Sequence, residues 1–206
     1  MDIKKTPIAY FARHGTTVGN ANGTFRGAKD FPLDEQGKED AKNLGKWFSN
    51  KELSAVYSSP LTRTRDTAEA VAIPKGLKVQ PVEGFRSLNV GYLAGEKKTD
   101  HEHVMDYFEK NPNERVPAGE SINEFRARTQ PPIKKILVEA AHSEKPILAV
   151  VHSSIIHELN HIITGDHNQT LVKPGGVVGV YQHPTKGLAL KALLRPEIEE
   201  EAKYHG

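Results

Sequence analysis

The sequence predicts an α/β fold, a three-layer α/β/α sandwich with a mostly parallel central sheet. Short apolar runs of strand character alternate with longer amphipathic runs of helical period. Two of the strand-like runs end on a histidine, at the carboxyl edge where open sheets of this class bind ligands. The length, 206 residues, suits one domain able to bury a full core without disulfides. We therefore expect a single domain over 1–206, with a charged tail (PEIEEEAKYHG) from about residue 196.

Each element has its own signal. Ile8 to Ala12 reads as a buried strand ending at Arg13. Asp34 is an N-cap for a helix to about Asn50, with Ala41, Leu44, Trp47 and Phe48 on one face. Ala55 to Ser58 is a second strand. Leu61 to about Ala72 is a helix closed by Pro74 and Gly76. Lys78 to Val82 is a weaker strand. Phe85 to Pro117 is irregular, with a short helix at His101 to Asn111. Ser121 to about Ser143 is a long helix opened by a Ser121/Glu124 capping box, and the adjacent Pro131 and Pro132 should kink or split it. Ile147 to Val151 is the strongest strand signal and leads into a helix from about Ser154 to Thr164. Val177 to Tyr181 and Leu188 to Leu194 close the sheet.

Composition narrows the function. Lys+Arg 28 against Asp+Glu 26 gives a net charge of +2, short of the basic excess of a nucleic-acid binder. No cysteine is present, which excludes disulfides, iron–sulfur clusters and thiol catalysis. This fits a reducing compartment, and we expect a cytoplasmic protein. No apolar run approaches a membrane span and the N-terminal residues do not read as a signal peptide, so neither membrane nor nucleic acid is an expected partner.

The two strand-end histidines carry the chemistry. YFARHGTT places Arg13, His14 and Gly15 at the end of the first strand. Arg13 offers a planar fork for phosphate or carboxylate, and Gly15 allows a sharp turn or close approach. LAVVHSS places His152 and Ser153 at a helix start, a favourable place for an anion. Either histidine alone would more simply be a structural residue. The pair, one beside an arginine, indicates a site. Arg63 and Arg65 sit in the first turn of a helix, where a cation opposes the helix dipole unless an anion is bound. Arg65 also reads as a solvated charge.

Five segments then resemble, in order, the histidine phosphatase superfamily, the branch that includes cofactor-dependent phosphoglycerate mutases. RHGTTVGN is similar to RHGxTxxN. RGAKDFPLDEQGKEDAKNLG is similar to RGxxDxPLTxxGxxQAxxLG. YSSPLTRTRDTAE, PAGESINEFRAR and ILAVVHSSII resemble SSxLxRAxxTAE, PxGESxxxFxxR and VxxVxHGxxI. The resemblance runs from Arg13 to about Ile162. It implies a small phosphorylated substrate and a phosphohistidine on His14, with Arg13, Arg63 and His152 holding the phosphoryl oxygens. Thr17 and Asn20 fall on positions near the phosphate, Arg26 on one near the entrance, and Ser153 beside His152 where the family usually has glycine. The expected activity is phosphomonoester hydrolysis with no metal or other cofactor, because fixed cations can neutralise the dianion. A mutase reading and a weakly active phosphate-binding reading stand beside it. The mutases of the family carry an ERHYG-like stretch that is missing between Gly95 and Pro117, and only about 20 residues there are available for a covering segment, which favours the phosphatase.

One departure concerns the proton donor. The family pattern LxExxxGxxEG corresponds here to FRSLNVGYLAG, so Ser87 stands where a glutamate is usual and Ala94 at the second acidic position. That glutamate protonates the leaving oxygen, a service worth about 100- to 10,000-fold. Glu83 or Glu96 could reach in from the same segment, or the substrate could have a good leaving group. Lys97, Lys98, Lys173 and Arg26 could meet a second anionic group or be surface charges. A competing motif, His157-Glu158-Leu159-Asn160-His161 with His167 beyond, matches the zinc peptidase pattern H-E-x-x-H. Its glycine is one residue late and no methionine follows, so it reads as a polar helix face. His101 and His103 read as surface residues.

Overall fold

The computed structural model describes residues 6–166, 172–183 and 187–194. His167 and the charged tail lie outside the described residues. Six strands form one sheet: β1 (Ala9–Arg13), β2 (Ala55–Ser58), β3 (Val79–Pro81), β4 (Ile147–Val151), β5 (Val177–His183) and β6 (Gly187–Leu194), in the order β3-β2-β4-β1-β5-β6. β3, β2, β4 and β1 pair in parallel. β5 and β6 add antiparallel at the β1 edge. The helices are α1 (Val18–Ala21), α2 (Glu35–Phe48), α3 (Thr62–Ala72), α4 (Glu102–Lys110), α5 (Ile122–His142) and α6 (Ser153–Thr164).

Alternation along the central strands makes the two cores. Ala9 and Phe11 of β1, with Ile147, Ala149 and Val151 of β4, pack under α5 and α6 against Phe125, Ile133, Ile155 and Leu159. Tyr10 and Ala12, with Leu148 and Val150, pack on the opposite face against Leu44 and Phe48 of α2 and Ala68 and Val71 of α3. Strands buried on both faces read as continuous apolar runs, as ILAVV does. A third, small cluster of Val90, Leu93, Phe108 and Val116 organises the irregular segment before α5.

Local signals set most boundaries. The Asp34 carboxylate accepts from the Gly37 N–H at 2.7 Å, capping α2. Gly76 and Gly165 take left-handed conformations past α3 and α6, at φ 67° and 72°. In α5 the capping box is made: Ser121 N–H donates to Glu124 Oε2 at 2.9 Å and Glu124 N–H to Ser121 Oγ at 3.1 Å. The expected split at Pro131 and Pro132 does not occur, since α5 runs unbroken through both. Pro132 cannot donate to the Arg128 carbonyl, and Gly84 packs closely against that freed carbonyl and the proline ring. Buried apolar residues on both sides of the prolines, from Phe125 to Ala140, hold the two halves on one core.

Candidate active site

The site stands at the carboxyl ends of β1 and β4, where the chain leaves the sheet. A cavity of about 260 Å³ is lined by Arg13, His14, Arg26, Arg63, His152 and Ser153, among others. The structure thus gathers residues from well-separated stretches of sequence into one pocket. Its volume is at the small end for ligand sites, which suits a compact ligand.

His14 leaves β1 with its N–H bonded to the Val151 carbonyl at 3.1 Å, so β4 fixes its backbone. Its side chain is 1% exposed. Its Nδ1 lies 2.7 Å from the Gly15 carbonyl oxygen. A carbonyl can only accept, so Nδ1 carries the proton and Nε2 keeps its lone pair. Burial, then the cations Arg63, Arg13 and Arg26, hold this imidazole well below its ordinary pKa, against a smaller opposite pull from Gly15. At neutral pH His14 is an uncharged base.

The loop that carries His14 is fastened from two sides. Gly15 N–H donates to Thr67 Oγ1 at 3.1 Å, and Thr67 donates in turn to the Arg63 carbonyl at 2.7 Å. Thr16 gives both its N–H and its hydroxyl to Asp40 of α2, at 2.9 and 2.7 Å. Gly15 and Gly37 meet backbone to backbone, and a Cβ on Gly37 would fall inside the Thr16 carbonyl.

The cations are held by carbonyls. Arg13 Nη1 donates to the Val172 carbonyl at 2.7 Å. Arg63, 1% exposed, donates to the carbonyls of Lys29 at 2.8 Å and Gly27 at 3.1 Å. Asp30 caps α3 through Thr62 N–H and hydroxyl, at 2.9 and 2.8 Å, which offsets the arginine in the first turn. Burial pushes Arg13 down to about 9, with Arg26 and Arg63 adding to it. Burial likewise lowers Arg63 and Arg26 to about 10. All three remain cationic at pH 7.

His152 is the residue before α6 and is 2% exposed. Its ring lies 5.2 Å from that of His14, centroid to centroid. Its Nε2 is 2.9 Å from the Ser59 hydroxyl. Burial, then Arg63, His14, Arg26 and Arg13, keep its pKa well below the ordinary value, so it too is neutral. Nδ1 of His152 and the Nε atoms of Arg13 and Arg63 are buried without a hydrogen-bond partner. Unpaired buried donors are costly. All three belong to residues that line one cavity, whose cations suit an anion.

Four of the residues weighed from sequence have other partners in the structure. Thr17 and Asn20 do not line the cavity. Thr17 gives its hydroxyl and N–H to Asn20 Oδ1, at 2.8 and 3.1 Å, so the pair shapes the turn into α1. Glu83, offered as a proton donor, has a side chain 75% exposed and paired with Arg86 Nε at 2.8 Å. Glu96 faces His101 at 3.8 Å on the surface. Neither lines the cavity, whereas Ser87 does. Of the lysines weighed, Lys98 lines it; Lys97 and Lys173 are exposed elsewhere. Lys98 has much exposed surface, yet burial of its ammonium end, then Arg26 and Arg13, lower its pKa to about 8.

The zinc motif is divided by its own helix. Glu158 is buried against α5, accepting from Gln130 at 2.7 Å and facing Arg126 at 3.5 Å. His157 lines the cavity instead. Among the described residues no group of three His, Asp or Glu is placed to hold a metal. His157, Ser59 and Thr67 are site residues that motif reading passed over. The signal for His157 was its spacing, one turn after Ser153 on α6. Ser59 and Thr67 lay inside a recognised stretch without a visible chemical task.

Comparison with known proteins agrees with this geometry. Residues 9–175 match the histidine phosphatase superfamily (branch 1). A relative from Erwinia tasmaniensis named "Probable phosphoglycerate mutase GpmB" is 30% identical over 164 residues, covering 76% of this chain and 74% of its own. A 2,3-bisphosphoglycerate-dependent phosphoglycerate mutase from Rhizobium etli is 29% identical over 157 residues, 71% of this chain and 75% of its own. The alpha-ribazole phosphatase of Shigella flexneri has the same fold, with a TM-score of 0.76 at 24% identity over 94% of this chain and 99% of its own. With its fold, its paired strand-end histidines and the match over residues 9–175, the chain belongs to the histidine phosphatase superfamily, branch 1.

Proposed function

We propose that this protein is a phosphomonoester hydrolase that works through a phosphohistidine on His14 and needs no metal. The observation that carries this reading is the neutral His14 imidazole, with its proton committed to Gly15, inside a pocket of three guanidinium groups. A neutral imidazole is a nucleophile; the arginines supply the charge that a dianionic phosphoryl group demands.

In the first step the Nε2 lone pair forms a P–N bond and the P–O ester bond breaks, its electrons leaving on the ester oxygen, which takes a proton from solvent water to depart as the alcohol. The resulting phosphoimidazolium is stabilised by the Nδ1–H···O=C bond to Gly15. Arg13 and Arg63 meet the equatorial oxygens with their guanidinium groups. The Ser59 hydroxyl holds His152 through Nε2, and His152 lines the same pocket beside His14. Water then attacks phosphorus, the P–N bond breaks, and phosphate and neutral His14 are released. The test is hydrolysis of p-nitrophenyl phosphate with EDTA present, with His14→Ala as control. Activity that survives chelation and is lost in the variant supports the reading. Turnover unchanged in His14→Ala would sink it.

A mutase is the second reading, favoured by the names of the relatives at 29–30% identity. It requires phospho-His14 to be shielded from water until a second acceptor binds. The segment 98–110 brings only Lys98 and Met105 to the cavity, a thin cover. Incubation with 3-phosphoglycerate separates the two, as inorganic phosphate marks the hydrolase and 2-phosphoglycerate the mutase.

A further inference from the structure

Resting on the phosphohistidine reading, we infer that the site favours phosphoryl donors whose leaving group departs as an anion, that is aryl phosphomonoesters, acyl phosphates and phosphoanhydrides, over alkyl phosphomonoesters. The inference starts from the charges that line the cavity. Arg13, Arg26, Arg63 and Lys98 contribute four cations, and no Asp or Glu is among the described lining residues. The two carboxylates nearest in sequence, Glu83 and Glu96, face Arg86 and His101 at the surface.

Ser87 is held at the cavity wall by its backbone. Arg128 of α5 donates to the carbonyls of Gly84 at 3.0 Å, Arg86 at 2.8 Å and Ser87 at 2.9 Å. Glu120 clasps Arg128 and accepts from the Asn89 N–H at 2.8 Å. The wall is therefore rigidly placed, and what it presents is a hydroxyl with no readily released proton.

An alkoxide is too basic to leave without a proton. A carboxylate or a phosphate is not, and what it needs is positive charge at the mouth of the pocket. Arg26 and Lys98 line the same cavity as His14 and are close enough to each other and to Arg13 to depress the Lys98 ammonium. In the transfer, the Nε2 lone pair forms the P–N bond and the P–O electrons leave on the acyl or phosphate oxygen. That anion is met by Arg26 and Lys98, and no proton moves. Water then attacks phospho-His14, giving dihydrogen phosphate and the neutral imidazole.

The experiment compares kcat/KM for acetyl phosphate, p-nitrophenyl phosphate, phenyl phosphate and glycerol 3-phosphate at pH 7. The expected result is a steep dependence on leaving-group basicity, with the alkyl ester slower than p-nitrophenyl phosphate by at least about 100-fold, the scale of a missing general acid. An alkyl ester within about tenfold of p-nitrophenyl phosphate would overturn the inference. His157 and Lys98 are the other lining groups able to give a proton. His157→Gln and Lys98→Met should slow no alkyl ester selectively. If either widens the alkyl-to-aryl gap by about tenfold or more, that residue is a proton donor and the inference fails. An acid-labile phosphoryl group trapped on His14 from any donor keeps the underlying reading whatever the slope. Its absence with all four donors removes both.

Discussion

At the scale of single residues, the fate of one proton organises the site. Gly15 supplies a carbonyl, so His14 Nδ1 must hold a hydrogen and Nε2 cannot. Ser59 holds His152 Nε2 with a hydroxyl, which can donate or accept. Ser59→Ala removes that partner and leaves both ring nitrogens of a buried imidazole unpaired. The expected outcome is a loss of about tenfold in kcat for p-nitrophenyl phosphate, equivalent to ~1.4 kcal/mol. Ser59→Thr, which keeps the hydroxyl, should recover most of it, and steady-state kinetics on the three proteins checks this. Ser87→Glu places a carboxyl on the clamped wall. It should raise glycerol 3-phosphate hydrolysis relative to p-nitrophenyl phosphate by about tenfold or more, read as the ratio of kcat/KM values. The sequence named His14, Arg13, Arg63, His152 and Arg26 because motif and chemistry coincide in them. It also named Thr17, Asn20 and Glu83, whose side chains meet other partners in the structure, because a polar residue near a motif can as easily serve its own turn or face solvent.

At the scale of elements, helices hold loops that the sheet alone would leave loose. α2 receives the Arg13–Thr17 loop through Asp40 and the close face of Gly37. Gly37→Ala drives a methyl group into the Thr16 carbonyl, and such overpacking costs about 1–3 kcal/mol. Urea denaturation should show that loss, together with a fall in activity larger than the fraction unfolded explains. α5 holds the wall that bears Ser87 through Arg128. Its capping box was legible because Ser and Glu three apart act within one turn. Its continuity through Pro131 and Pro132 was not. The residue that accommodates the ring, Gly84, lies outside the helix altogether.

At the scale of the whole molecule, burying neutral imidazoles among guanidinium groups ties stability to pH. His14 and His152 have folded pKa values well below the ordinary 6.5. Between that value and the folded ones the unfolded chain binds more protons, so stability rises with pH there. It is full above about 6.5 and is lost as pH falls toward the folded values. Thermal melts should therefore drop in Tm below about pH 6 by more for the wild type than for a His152→Asn variant. The concentrated charge has a second consequence. An anion that binds only the folded state stabilises it by mass action, ~2.7 kcal/mol at a hundredfold excess over Kd. Orthovanadate should raise Tm, and Arg63→Met should abolish most of the shift; differential scanning fluorimetry reads both.

The sequence by itself determined the alternation that makes a three-layer sandwich, the strand ends that carry His14 and His152, the caps of α2 and α5, and membership of a phosphoryl-handling family. Those features are written in periodicity and in short motifs, where cause and effect lie within a few residues. Only the tertiary structure decided which polar groups share the cavity. That Ser87 faces it and Glu83 does not, that His157 turns to it while Glu158 is buried against Gln130 and Arg126, and that Ser59 meets His152 across 93 positions are facts of packing. The physical reason is distance along the chain. The direction of a side chain at a strand end depends on which helix is docked beside it, and here the partners that decide it, Asp40, Thr67, Glu120 and Arg128, come from elsewhere in the sequence.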